Sequence, residues 1–376
     1  MLSYIAYHFQ SVPVRRIHID DAISRVLKLV GGRKMSVSVV VGGQFGSEGK
    51  GKVAFYFVKK LNAAAVVRVG GVNSGHTVVA EDGTEHIFRA LPTACVNPSA
   101  LSVLPSGAYI DPDVLFEEIA RSGIETGRLA IDPYAVVMDG GMARSEREAD
   151  LRRRIGSTES GTGAAVIARL QRRREGVTFA KDLPRLRPYV RETKPLMRGL
   201  LDSGAHIVIE GTQGFGLSPI NSDLYPYCTS RDTTAGSFLG EAGLSPLDVE
   251  NVIMVLRAYP IRVAGASGPL PRETSWREVA AMAGTEHDLT EYTSCTKRVR
   301  RVAAFDPEIV RRAIQVNRPN IIVMNHLDYI DYACHNTERI SETVSEFVRR
   351  VSGEIDRDID YLGTGKAHMI KTERRK

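Results

Sequence analysis

Residues 37–61 read VSVVVGGQFGSEGKGKVAFYFVKKL. The opening alternates and then runs apolar, as a strand covered on both faces does. Glycines follow at 42, 43, 46, 49 and 51, and 53–61 has helical spacing. The stretch predicts a strand, a glycine-rich loop and a helix. In such a loop backbone N–H groups converge on phosphate oxygens, and the helix that follows adds its positive end. Lys50 and Lys52 add point charges. A tight structural turn is the plainer alternative. The loop is not the common GxxxxGK[ST] form. Gly43 to Gly49 is one residue too long, and Gly51 stands where a Ser or Thr would hold magnesium. The dinucleotide pattern GxGxxG is absent too.

Two more loops of this kind leave apolar runs. GGVNSGHTVV, 70–79, carries His76 between Gly75 and Thr77, where an imidazole can move a proton or stabilise oxygen charge. EGTQGFGLS, 210–218, carries Gln213. Further strands are predicted at 64–69, 102–104, 205–210, 251–256 and 320–324. Helices are predicted at 113–122, 144–154, 191–203, 276–282, 307–317 and 341–351. Strands alternating with helices predict an α/β fold with a mostly parallel central sheet and flanking helices. Three glycine-rich loops after three strands then share one edge of that sheet, where open α/β sheets bind ligands.

The 376 residues are 43% apolar and 25% charged, which excludes a disordered chain. No apolar run is long enough to predict a membrane span. The net charge is +6, but residues 1–34 carry +4 and the tail 371–376 carries +3, which leaves the body at −1. A basic nucleic-acid-binding surface is therefore not expected. The cysteines at 95, 228, 295 and 334 fit neither zinc nor a disulfide framework. Reduced thiols point to a cytoplasmic protein. Residues 1–34 lack a secretory pattern. Two readings stand for them: a genuine arm, or an upstream extension before a start at Met35. The expected division is thus this extension, 1–34, and a single catalytic domain, 35–376.

Taken together, QFGSEGKGK, NSGHT, IGSTESGTG, EGTQGFGL, YPYCTSRDTTAG, TKRVRR, NHLD and GTGK resemble the adenylosuccinate synthetase family, in that family's order, over roughly 37–370. The resemblance implies a P-loop-like α/β fold, a homodimer and Mg²⁺. The family transfers the γ-phosphate of GTP to O6 of IMP, and the amine of L-aspartate then displaces it. Carried onto this chain, Gly46, Glu48, Gly49, Lys50, Gly51 and Lys52 form the phosphate loop, with Thr77 beside the phosphates. His76 meets the 6-oxygen, Gln213 the purine edge, and Gly75 supplies a backbone magnesium ligand. Asn73, Ser157, Thr158, Leu217, Thr229 and Val263 contact the purine monophosphate, and Arg172 reaches the partner subunit's monophosphate site. Thr296, Arg298 and Arg300 bind aspartate, where guanidinium forks suit carboxylates. Asn325, Asp328, Gly363 and Gly365 surround the donor base.

One departure bears on the substrate, and an inactive homologue, ordinary IMP activity and an altered substrate are the readings it allows. The family has a catalytic, magnesium-binding aspartate before EGKGK, and this chain has Ser47. A hydroxyl is a poor base and a weak ligand for a hard cation. It leaves room beside N1 for a guanine 2-amino group and can accept from it. The change is similar to the bacteriophage branch of the family, the 2-aminoadenylosuccinate synthetases, which use dGMP on the route to 2-aminoadenine DNA. The expectation is a ligase that joins aspartate to dGMP with an ATP-type donor. The alternative is adenylosuccinate synthesis from IMP and GTP. The donor motifs also differ, with His326 in place of a lysine and the frame Gly363–Lys366 altered.

Overall fold

A computed structural model describes residues 36–373 except 174 and 294–296. The extension 1–34, Cys295 and Thr296 lie outside the described residues. Val37–Gly42 forms a strand (β1) that is buried throughout. Its flanks explain why an apolar run was needed there. It pairs in parallel with Ile207–Glu210 on one side and with Val249–Arg257 on the other.

The remaining sheet strands, in chain order, are β2 Ala65–Arg68, β3 Leu101–Leu104, β4 Leu129–Ile131, β5 Ile207–Glu210, β6 Val249–Arg257, β7 Ile321–Asn325, β8 Tyr361–Thr364 and β9 His368–Lys371. Among the described residues their spatial order is β9-β8-β7-β6-β1-β5-β2-β3-β4. Every neighbouring pair is parallel except β8 with β9. All six predicted strands are in this sheet. The strands β4, β8 and β9 were not predicted.

Side chains alternate across the sheet. Val39 and Val41 of β1 join Ile209, Phe238, Leu256 and Val310 on one face. Val40 joins Val53, Ala54, Phe57 and Val58 of helix α1, Lys50–Lys60, on the other. Burying each of the larger α1 side chains is worth roughly 1.5–3 kcal/mol. That packing fixes the start of α1 directly beyond the end of β1.

The predicted helix at 144–154 is two helices, Gly140–Glu148 and Leu151–Ile155. Asp150 between them has φ 50, a left-handed conformation that ends a helix. Two helices were not predicted. Ala235–Ala242 is built from AGSFLGEA, with glycines that weaken the local signal. Thr162–Gln171 leaves Ile167 and Leu170 exposed, so its apolar residues do not mark one buried face.

Candidate active site

The parallel arrangement puts the ends of β1, β2, β5, β6 and β7 on one edge of the sheet. A cleft of about 1480 Å³ opens there. Its walls include Gly46, Ser47, Gly49–Lys52, Asn73–Thr77, Gln213, Arg300, Asn325 and Asp328.

The loop after β1 is held from below by Glu48, which is fully buried. Its Oε1 accepts from the backbone N–H of Gln44 (3.2 Å) and of Gly46 (2.8 Å). Its Oε2 pairs with Lys50 Nζ at 2.6 Å. Helix α1 begins after Gly49 with no side-chain cap, so its first N–H groups remain available to an anion. Gly49 has φ 87, and a Cβ there would lie 2.7 Å from Asn325 Nδ2. That amide donates to the Glu48 carbonyl at 2.8 Å and so ties the end of β7 to the loop. Lys52 Nζ donates to the carbonyls of Gly365 and His368, both at 3.1 Å. Burial pushes its pKa down to about 8, against the opposing pull of Asp328. Ser47 sits at the loop's tip with φ 56 and an exposed side chain.

The catalytic candidate His76 is buried in the cleft wall. Its Nδ1 lies 2.6 Å from Glu210 Oε1, at the end of β5. Arg68, at the end of β2, lies against the same ring nitrogen and donates to Glu210 Oε1 at 3.0 Å. Thr93 donates to Glu210 Oε2 through its N–H and its hydroxyl, both at 2.8 Å. Burial alone would raise the Glu210 carboxyl. The hydrogen bond from His76 and the Arg68 charge outweigh it and hold the group below the ordinary carboxylate range. Burial, and then the Arg68 charge, push His76 down to about 3. The ring therefore rests neutral. Nδ1 faces both the Glu210 carboxylate, which only accepts, and the Arg68 guanidinium, which only donates, and a neutral ring of either tautomer keeps one nitrogen with a lone pair. Negative phosphates entering the cleft favour the imidazolium again.

On the donor side, Asp328 Oδ2 accepts from His335 Nδ1 at 2.7 Å. Its Oδ1 is buried without a partner among the described residues. Such an oxygen is suited to an N–H donor from a ligand. Gly365 lines the cleft, whereas Gly363 packs behind it. A Cβ at 363 would lie 2.0 Å from Asn325 Oδ1.

Asn73, Ser157, Thr158, Gln213, Leu217, Thr229 and Val263 all line the cleft. Arg172 and Arg298 are exposed and lie outside its walls. Arg300 faces it and donates to Glu291 Oε2 at 3.1 Å. Arg68, Glu210, Arg257, Glu291 and His335 went unnoticed in the sequence. For three of them a signal existed: AVVR, IVIE and VENVIMVLR each end an apolar strand on a polar or charged residue beside a loop.

Ser47 and Gly75, the two positions that the resemblance assigns to magnesium, both line the cleft. Two neutral oxygens are weak ligands for a hard cation, so Mg²⁺ there would depend on phosphate oxygens and water for most of its shell. Among the described residues no cluster of three His, Cys, Asp or Glu exists that would form a cage by itself.

The adenylosuccinate synthetase family model matches residues 39–184 and 175–335. The adenylosuccinate synthetase of Methanococcus vannielii is 34% identical over 338 residues, 88% of this chain and 96% of that protein. The chain belongs to the adenylosuccinate synthetase family. The synthetase of Thermococcus sibiricus is 33% identical over 334 residues, 87% of this chain and 95% of that protein. Among solved structures, cyanophage S-2L succinoaminodeoxyadenylate synthetase (PurZ), bound to dGMP and to dATP as an energy donor, superposes with a TM-score of 0.75. It is 30% identical and covers 91% of this chain and 97% of its own. Plasmodium falciparum adenylosuccinate synthetase shares the fold, with a TM-score of 0.78 at 18% identity, over 90% of this chain and all of that one. As an adenylosuccinate synthetase family member, the chain is a ligase that forms a C–N bond in purine biosynthesis. Use of Mg²⁺ is a general property of that family. Among the described residues no helix is long and apolar enough to cross a membrane.

Proposed function

We propose that the chain joins L-aspartate to C6 of dGMP at the expense of an ATP-type nucleoside triphosphate. One observation carries the reading. The tip of the phosphate loop presents a serine to the cleft, and the neighbouring carboxylate, Glu48, is buried beneath the loop with both oxygens engaged. No acid is therefore available there to take a proton from N1 or to crowd a 2-amino group. The likeness to a cyanophage enzyme bound to dGMP and dATP supports the same reading.

In this mechanism the donor phosphates lie on residues 46–52 and the start of α1. Ser47 and Gly75 would help to hold Mg²⁺, whose charge would offset that of the phosphates. His76, re-protonated in the presence of the phosphates and oriented by Glu210, stabilises the charge at O6 as it is phosphorylated. Gln213 bonds the purine edge, and Ser47 either relays the N1 proton to water or phosphate or positions the base without taking it. Arg298 and Arg300, with Thr296, hold aspartate while its amine displaces phosphate at C6. Asn73, Ser157, Thr158, Leu217, Thr229 and Val263 hold the monophosphate. Arg172, exposed on its own subunit, completes the site of a second copy in a homodimer. Residues 35–376 form this catalytic domain, and the protein works in the cytoplasm.

A second reading is IMP and GTP. The 34% identity to an archaeal adenylosuccinate synthetase favours it, as does the Asn325-x-x-Asp328 spacing beside the donor site. Phosphate release with aspartate, Mg²⁺ and ATP or GTP, offered IMP, GMP or dGMP in turn, separates the two. The expected order puts dGMP first. Ser47→Asp is expected to move preference toward IMP by about 10²-fold. An unchanged preference would overturn the role given to position 47.

A further inference from the structure

Among the described residues, Arg257 is the largest fully buried side chain. Its backbone is fixed by the Gln44 amide, which accepts from Arg257 N–H at 2.9 Å and donates to its carbonyl at 3.2 Å. Its guanidinium is divided. Nη1 donates to the Ser47 carbonyl at 3.0 Å and to Glu291 Oε2 at 3.3 Å. Nη2 donates to Glu291 Oε1. Arg300 Nη1 donates to Glu291 Oε2 from the other side, at 3.1 Å. An unbroken path of hydrogen bonds thus runs from the backbone of Ser47, through Arg257 and Glu291, to Arg300.

The ends of the path are restrained differently. Arg300 is pinned at its backbone, where its N–H donates to the Glu291 carbonyl (2.9 Å) and its carbonyl accepts from Trp276 Nε1 (2.7 Å). Ser47 holds a left-handed backbone without being glycine, so its conformation depends on what restrains it, and the Arg257 bond to its carbonyl is one such restraint. The charges do not balance within the cluster. Two guanidiniums share one carboxylate, which leaves one positive charge in a buried setting. Arg300 Nε is also buried without a partner among the described residues. One further carboxylate at Arg300 would complete the set.

We propose that Arg257 and Glu291 are positioning residues that couple the purine-monophosphate site to the aspartate site. A purine against Ser47 fixes that carbonyl, which fixes the division of Arg257 between Ser47 and Glu291, which sets the aim of Arg300. By linkage, aspartate on Arg300 tightens the purine by the same factor. This inference rests on the ligase reading above, in which those two sites take those two substrates.

The test is an initial-rate grid over aspartate and dGMP with saturating ATP and Mg²⁺, repeated with IMP and GTP. The wild type is expected to show an interaction factor of about tenfold between the two substrates. Arg257→Lys keeps the charge but not the forked geometry, and is expected to bring the factor close to one. The apparent KM for aspartate should rise while kcat changes less. Glu291→Gln keeps the shape without the charge and should do the same, with folding of both variants checked by thermal melting. A factor that persists in a folded Arg257→Lys or Glu291→Gln protein overturns the coupling. So does a wild type that turns over with no interaction between the substrates, which leaves the ligase reading intact. A wild type that turns over neither acceptor overturns the ligase reading and the coupling with it.

Discussion

Glu48 and Glu210 are both fully buried carboxylates beside the same cleft, yet they do different work. Among the described residues, the Glu48 carboxylate bonds only to its own neighbourhood, the N–H groups of Gln44 and Gly46 and the ammonium of Lys50. It closes a loop on itself. Glu210 bonds to Arg68, His76 and Thr93, all at least 117 positions away in the chain. It joins strands β2 and β5 and ends on a ring in the cleft wall. A buried acid is thus not a sign of chemistry by itself. What distinguishes the two is whether a titrating group facing the cleft hangs from the acid.

The largest expected effect tests that distinction on the Glu210 side. His76→Gln removes the ring and leaves Glu210 still paired with Arg68 and Thr93. Phosphate release is expected to fall about 10³-fold in kcat, equivalent to roughly 4 kcal/mol of transition-state stabilisation. The midpoint of urea unfolding at pH 7 should barely move. A large loss of stability with activity retained would put His76 with Glu48, as architecture.

The next effect belongs to the other acid. Glu48→Gln leaves Lys50, itself buried, without its counter-charge. Breaking such a pair is expected to cost about 3 kcal/mol of unfolding free energy, read from the same urea curves. Triphosphate binding should recover part of it, because phosphate oxygens offer Lys50 a new partner. No loss of stability would mean that the loop is held by its glycines and by Asn325 alone.

The same contrast explains what could be read in the sequence. The stretch 37–61 was legible because an apolar run, clustered glycines and a helical period follow one another without interruption. The loops carrying His76 and Gln213 repeat that signature. Strand β4 has three residues and β8 has four, too few for a period to emerge, and their burial comes from neighbours distant in sequence. Arg68, Glu210 and Arg257 were hidden for a related reason. Each closes an apolar strand, where one polar residue looks like the strand's end rather than a group turned toward partners on other strands. Glu291 and His335 lie in irregular segments with no local period, and only the fold brings them to Arg300 and Asp328. Arg172 and Arg298 show the opposite case. Their motifs are plain in the sequence, while this chain by itself leaves them outside the cleft walls.

The smallest effect is a slope. Burial holds His76 at about 3 in the folded protein, and His326 likewise, whereas an unfolded histidine titrates near 6.5. Between those values the unfolded chain binds more protons than the folded one. Stability therefore falls as pH is lowered through that window, by about 1.4 kcal/mol per pH unit for each such histidine. Above the upper limit this term is constant. His76→Gln should remove one histidine's share of the slope between pH 4 and 6, and His326→Gln the other's. The measurement is the urea unfolding free energy at pH 4, 5 and 6 for the three proteins. Parallel curves for wild type and His76→Gln would mean that the ring takes up its proton in the folded state as readily as in the unfolded one. The ring would then be partly protonated at pH 7 before any phosphate arrives, and re-protonation on binding would lose most of its importance.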